Sequence, residues 1–197
     1  MLMSNANNMP LPSQFRYNIP MVHTMSIIFA ILAILSFAFV ATTIASALSQ
    51  RFLKCKCYTK LKARIQPFAY EFAFIVALVA TLGSLFYSDI AHFTPCKLCW
   101  YQRILMYPQS LLLYIALIRR ERFLSPYLKI ISAIGFVIAS YHTIIQWIPQ
   151  SPFLPCSKVA ECGKIYSATF GFITIPFMSM CAFALIFTIL TLSKKDK

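Results

Sequence analysis

Charge is what this chain has least of. Only 12% of its 197 residues are Asp, Glu, Lys or Arg, and just five of them are acidic. A soluble domain carries about 25% charged residues, so a soluble domain of any size is excluded. Glycine is also scarce, four in all, and the cysteines lack the Gly-rich knuckle turns that flank them in zinc ribbons. There is no internal repeat and no low-complexity tract.

The shortage of acid leaves a formal net charge of +13. Its distribution argues against a nucleic-acid partner. Arg51, Lys54, Lys56, Lys60, Lys62 and Arg64 form one cluster, Arg119, Arg120, Arg122 and Lys129 a second, and Lys194, Lys195 and Lys197 end the chain. All three flank apolar runs, as the positive-inside bias predicts for cytoplasmic loops.

What is abundant is apolar sequence, 59% of residues with a mean hydropathy of +0.71. It comes in blocks of roughly 20 residues, each long enough to cross the hydrocarbon core of a bilayer as a helix. The pattern predicts an all-α membrane protein with five spans: Met25–Leu48, Phe68–Ile90, Leu98–Ile118, Ile130–Ile148 and Ile173–Leu192. Residues 1–24 read as a disordered, nearly uncharged tail, residues 25–67 as an N-terminal span with a basic cytoplasmic loop, and residues 68–197 as a four-helix transmembrane bundle. Segments 49–67, 119–129 and 193–197 hold six, four and three of the eighteen Lys and Arg. One orientation satisfies them all, with the N-terminus outside and the C-terminus in the cytoplasm. Ala45-Ser46-Ala47 resembles a signal-peptide cleavage site. Against cleavage, Arg16 is the single basic residue ahead of the apolar run, and cleavage would leave six basic residues outside. A retained span is therefore expected.

Seven cysteines divide by this topology. Cys96 and Cys99, in Pro-Cys-Lys-Leu-Cys-Trp, and Cys156 and Cys162, in Pro-Cys-x5-Cys-Gly, fall on the outer face, where disulfides persist in a bacterial envelope. Cys55 and Cys57 fall in the basic inner loop, as plain thiols or a C-x-C metal or lipidation site. Cys181 falls inside the fifth span, as a packing residue.

Pro95 keeps Thr94 out of helical geometry, so a helix is expected to start at the C-x-x-C. That puts Cys99 in a first helical turn, whose partial positive charge favours a thiolate. Arg103 follows one turn later on the same face. An arginine at that depth either snorkels to the headgroups or serves a site. His142 is expected at a comparable depth, either bonded to a neighbouring helix or at a site. The second pair lies on a loop bounded by Pro149, Pro152, Pro155 and Gly163, suited to meeting a soluble partner or to a structural staple. A four-cysteine zinc site is the remaining alternative, though four thiolates on an oxidising face would be prone to oxidation.

Two stretches carry a family resemblance: Cys-Lys-Leu-Cys-Trp-Tyr-Gln-Arg-Ile-Leu-Met-Tyr-Pro over 96–108, and Pro155-Cys-x5-Cys followed by Gly-Phe-Ile-Thr-Ile-Pro-Phe over 171–177. With them the chain, over about residues 68–192, resembles the disulfide bond formation protein B (DsbB) family, in particular its short-loop BdbC-like branch. The resemblance implies a quinone-dependent oxidoreductase of the bacterial inner membrane. Such an enzyme reoxidises a soluble thioredoxin-fold thiol oxidase outside the cytoplasm and passes the electrons to ubiquinone or menaquinone. It implies that Cys156 exchanges with the oxidase, with Cys162 as its loop partner. Cys96 exchanges with the loop pair, and Cys99 contacts the quinone with Arg103 and His142 beside it. Three departures stand out: a five-residue spacing between the loop cysteines, an N-terminal extension of about 65 residues with its own span, and Gln102 where some members carry an acid.

Vitamin K epoxide reductase-like quinone reductases also use four cysteines, but with the loop pair ahead of the C-x-x-C; here the C-x-x-C comes first. A non-enzymatic scaffold with structural disulfides is the remaining reading.

Overall fold

A computed structural model describes residues 13–53, 57–120, 123–148 and 168–193. Helix α1 (Ser13–Leu53) is one unbroken rod that passes through Ala45-Ser46-Ala47. A short helix α2 (Cys57–Ile65) leads through a 3₁₀ turn (Gln66–Phe68) into α3 (Ala69–Leu85), which ends in a π-helical turn (Phe86–Ile90). Then come α4 (Lys97–Arg119) and α5 (Ser125–Trp147), a two-residue strand pair β1 (Ala168–Thr169) and β2 (Ile173–Thr174), and α6 (Ile175–Leu192). Loop cysteines Cys156 and Cys162, and Cys55, lie outside the described residues.

The all-α membrane class holds, with corrections at the edges. Residues 13–24, expected as tail, are helical; once an apolar helix is nucleated, adding residues to its end costs little. The basic loop carries α2, where the sequence reading expected only connection. Helix α5 begins five residues earlier than expected. Pro126 suits a first helical turn, and Lys129 can bury its stem while keeping its charge at the surface. Helix α6 begins after Ile173–Thr174, which pair with Ala168–Thr169 around a turn where Phe170 and Gly171 both have positive φ, 54° and 80°. Of the described helices, four stretches are long and apolar enough to cross a membrane: Pro20–Phe52, Tyr58–Ile90, Ser125–Trp147 and Ile175–Leu192. Helix α4 is long enough but too polar by composition, with Lys97, Gln102, Arg103, Gln109 and Arg119 along it. Gln102, Met106, Gln109, Leu113 and Ala116 are buried at steps of three and four, while Trp100, Ile104, Leu111 and Ile118 face outward.

Helices α3, α4, α5 and α6 close a ring: α3 packs on α4, α4 on α5, α5 on α6 and α6 on α3. The apolar core lies inside it, around Met106, Leu113, Leu128, Phe183, Ile186 and Leu190. Gly135 lets α5 approach α6 closely; a Cβ there would lie 2.3 Å from the Phe183 ring. Without a hydrophobic drive between helices in lipid, such close packing and inter-helix polar bonds hold the bundle together. Gln109 supplies one such bond, donating to the Leu128 carbonyl at 3.2 Å and to the Ser132 hydroxyl. Helix α1 stands outside the ring and packs along α6.

Candidate functional site

The π-helical turn ends α3 and turns the chain toward α4. The Phe93 N–H bonds back to the Tyr87 carbonyl at 2.9 Å, and Pro95 leads into an extended Cys96. Cys96 then caps α4, its Sγ accepting the Cys99 N–H at 3.3 Å. A C-x-x-C therefore sits across the start of a helix, as Pro95 led us to expect. The two sulfurs lie 3.0 Å apart as a dithiol. Cys96 is buried and Cys99 is half-buried.

Helix α5 brings His142 to the same place. It is 1% exposed, with Nε2 3.6 Å from Cys96 Sγ. Its Nδ1 lies 3.0 Å from the Gln102 amide nitrogen. With that nitrogen donating, Nδ1 accepts, so the ring proton sits on Nε2 and points at Cys96. Arg103 donates to the Ser84 carbonyl at 3.0 Å, in the last turn of α3, where helix carbonyls carry partial negative charge. Its guanidinium also lies 5.5 Å from the Trp100 ring centroid. Tyr107 donates to the Ser84 hydroxyl at 3.3 Å. Cys96, Cys99, Arg103 and His142 thus converge.

Gln102 was legible only as a departure from the resemblance, though its position three residues after Cys99 puts it on the same helix face. Ser84, in the apolar run of α3, carried no signal, and Tyr107 on α4 stood only as one residue of the 96–108 stretch. Cys181 is buried in α6. Among the described residues, Cys96, Cys99 and His142 form the one group of three potential metal ligands, with their ligand atoms within 4.8 Å of one another. That set exists only while both sulfurs are reduced.

These groups lie at one end of a cavity of about 590 Å³. Its walls are otherwise mostly apolar, with Ser36, Gln146 and Ser179 among the exceptions, and come from α1, α3, α4, α5 and α6. Along α3 and its π-helical turn the wall extends from Phe72 to Tyr87, a rise of roughly 20 Å.

The family model described as disulfide bond formation protein DsbB matches residues 66–193. The chain belongs to the DsbB family. It is 44% identical over 126 residues to disulfide bond formation protein C of Bacillus subtilis, covering 64% of this chain and 91% of that one. It is 46% identical over 117 residues to the SPbeta prophage-derived disulfide bond formation protein B of the same organism, covering 59% and 78%. It is 39% identical over 120 residues to a probable disulfide formation protein of Coxiella burnetii, covering 60% and 82%. No solved structure shows significant similarity. This DsbB-family chain is a multi-pass bacterial membrane protein of disulfide formation and an oxidoreductase. Family membership sets aside the vitamin K epoxide reductase-like and scaffold readings. The matched region begins at residue 66, so α1 and α2 both lie ahead of it.

Proposed function

We propose that the chain reoxidises a soluble thioredoxin-fold oxidase outside the cytoplasm and delivers the electrons to a membrane quinone. The observation that carries this reading is the cavity. A cluster of polar groups stands at one end of a long apolar space of about 590 Å³, within the range of small-ligand sites. The donor set fits a quinone: Arg103 offers a fixed cation to a carbonyl oxygen, and the apolar walls suit an isoprenoid tail. Ubiquinone and menaquinone both meet that description.

A bound quinone supplies the oxidant, taking up two electrons and two protons as the Cys96–Cys99 dithiol becomes a disulfide. Everything else falls to the chain. In our reading Cys156 and Cys162 form the loop pair, on the same outer side as Cys96 and Cys99. A thiol of the reduced oxidase attacks Cys156, releasing Cys162, and the oxidase's second thiol resolves that mixed disulfide. The loop dithiol then reduces the Cys96–Cys99 disulfide by the same exchange. In that exchange a loop thiol attacks Cys96 and Cys99 leaves. When the second loop thiol closes the loop disulfide, Cys96 Sγ is released in turn, and the Nε2–H of His142 steadies it. Gln102 keeps that proton on Nε2, and Cys99 sits in the first turn of α4. Arg103, tethered to the Ser84 carbonyl, orients the ligand beside Cys99.

The test is to purify the protein in mild detergent, extract it with organic solvent and identify what was bound. The expected result is a quinone at close to one per chain, lost in Arg103→Leu. A protein that carries none and binds none when offered ubiquinone or menaquinone would overturn the reading.

A further inference from the structure

Helix α1 lies ahead of the region that the DsbB family model matches, yet it forms a wall of the cavity. Phe29, Leu32, Ala33, Leu35, Ser36 and Phe39 all line it. They cover ten residue steps, or roughly 15 Å of helix. The contacts that join α1 to the end of α3 and its π-helical turn lie at the cysteine end. Phe29 packs at a tilt against Phe86 and Tyr87, with centroids 6.5 and 5.8 Å away, and its ring covers Gly83, where a Cβ would lie 3.1 Å from it. Tyr87 also donates to the Ser26 hydroxyl at 3.1 Å in a buried bond. Below this clasp α1 follows α6 rather than α3. The space left between α1 and α3 is the apolar arm of the cavity, continuous with the cysteine site.

We infer that α1 is the outer wall of a channel for the isoprenoid tail, so that Leu32, Leu35, Ser36 and Phe39 set the affinity for long-tailed quinones. The inference rests on the quinone reading above. The head of the ligand meets Cys99 and Arg103 on α4, while the tail meets α1. The two contributions are therefore separable by tail length.

The experiment uses the full chain in nanodiscs of defined phospholipid, with equilibrium binding of a one-isoprene and an eight-isoprene ubiquinone. Ser36→Phe places bulk in the channel, and Leu35→Ala removes apolar contact from a side chain already 60% exposed, which spares the fold. Ile34→Phe, on an exposed side chain outside the cavity lining, is the control. For the long-tailed quinone, Ser36→Phe is expected to lower affinity about tenfold and Leu35→Ala about threefold. Neither should change short-tailed affinity by more than about twofold, and Ile34→Phe should change neither. Losses that are equal for both tails, or absent in both variants, overturn the role of α1 while leaving the quinone reading intact. A phospholipid acyl chain that stays in the cavity when long-tailed quinone binds also overturns it. Failure of the unaltered protein to bind either quinone overturns both.

Discussion

Gln102 and His142 meet across the α4–α5 contact, amide nitrogen to Nδ1 at 3.0 Å, both buried. This bond decides what His142 presents to Cys96. Gln102→Leu frees the tautomer and leaves the buried ring without that partner, which costs about 1–3 kcal/mol if nothing replaces it. Oxidation of a dithiol substrate is expected to slow about tenfold, with the protein still folded by circular dichroism. Gln102→Glu accepts from Nδ1–H instead, turning Nε2 into a base, and is expected to shift the pH–rate profile. An unchanged profile in both variants would remove Gln102 from the mechanism.

Arg103 makes a directional bond to the Ser84 carbonyl that a point charge reproduces poorly. Arg103→Leu is expected to raise the apparent KM for quinone at least tenfold while shifting the melting temperature little. Arg103→Lys should recover only part of the loss. Steady-state kinetics at varied quinone checks this; an unaltered KM in Arg103→Leu would contradict it.

The two loop cysteines are assigned different duties. Cys162→Ala should accumulate a mixed disulfide between Cys156 and the soluble oxidase, whereas Cys156→Ala should trap none. Non-reducing gels of each variant incubated with the oxidase distinguish them, and equal trapping would contradict the assignment.

Gly135 is a packing requirement rather than part of the chemistry. Gly135→Ala forces the Phe183 ring to move and is expected to cost about 1–3 kcal/mol, read as a lowered melting temperature. Adding Phe183→Leu should return part of that loss, because it removes the clashing ring atoms. No destabilisation in Gly135→Ala would mean that the α5–α6 contact is looser than described.

Much of this was legible in the sequence because lipid allows few solutions. Backbone groups must be satisfied within each segment, so apolar blocks read as helices, and Pro95 marks the start of α4 at the cysteines. The ends were less legible. Neither the extent of α1 to Ser13 nor the strand pair at Ile173–Thr174 leaves a hydropathy signal, since both depend on neighbours and turn geometry. Arg103 and His142 stood out as polar residues in apolar runs. Gln102 did not, because an amide at the membrane edge is unremarkable until its partner is known. Ser84, Tyr107 and the α1 wall depend on inter-helix packing, which one sequence does not encode in any local pattern.

The central claim is that electrons leave the chain through Cys99 to a quinone. It is tested most directly by an anaerobic single turnover. Fully reduced protein, with loop cysteines replaced by Ala, is mixed with one equivalent of quinone, and quinol absorbance and free thiols are followed together. One quinone should be reduced for each Cys96–Cys99 pair oxidised, and Cys99→Ser should reduce none. Quinone reduction that persists in Cys99→Ser, or thiol loss without quinol, would contradict the account.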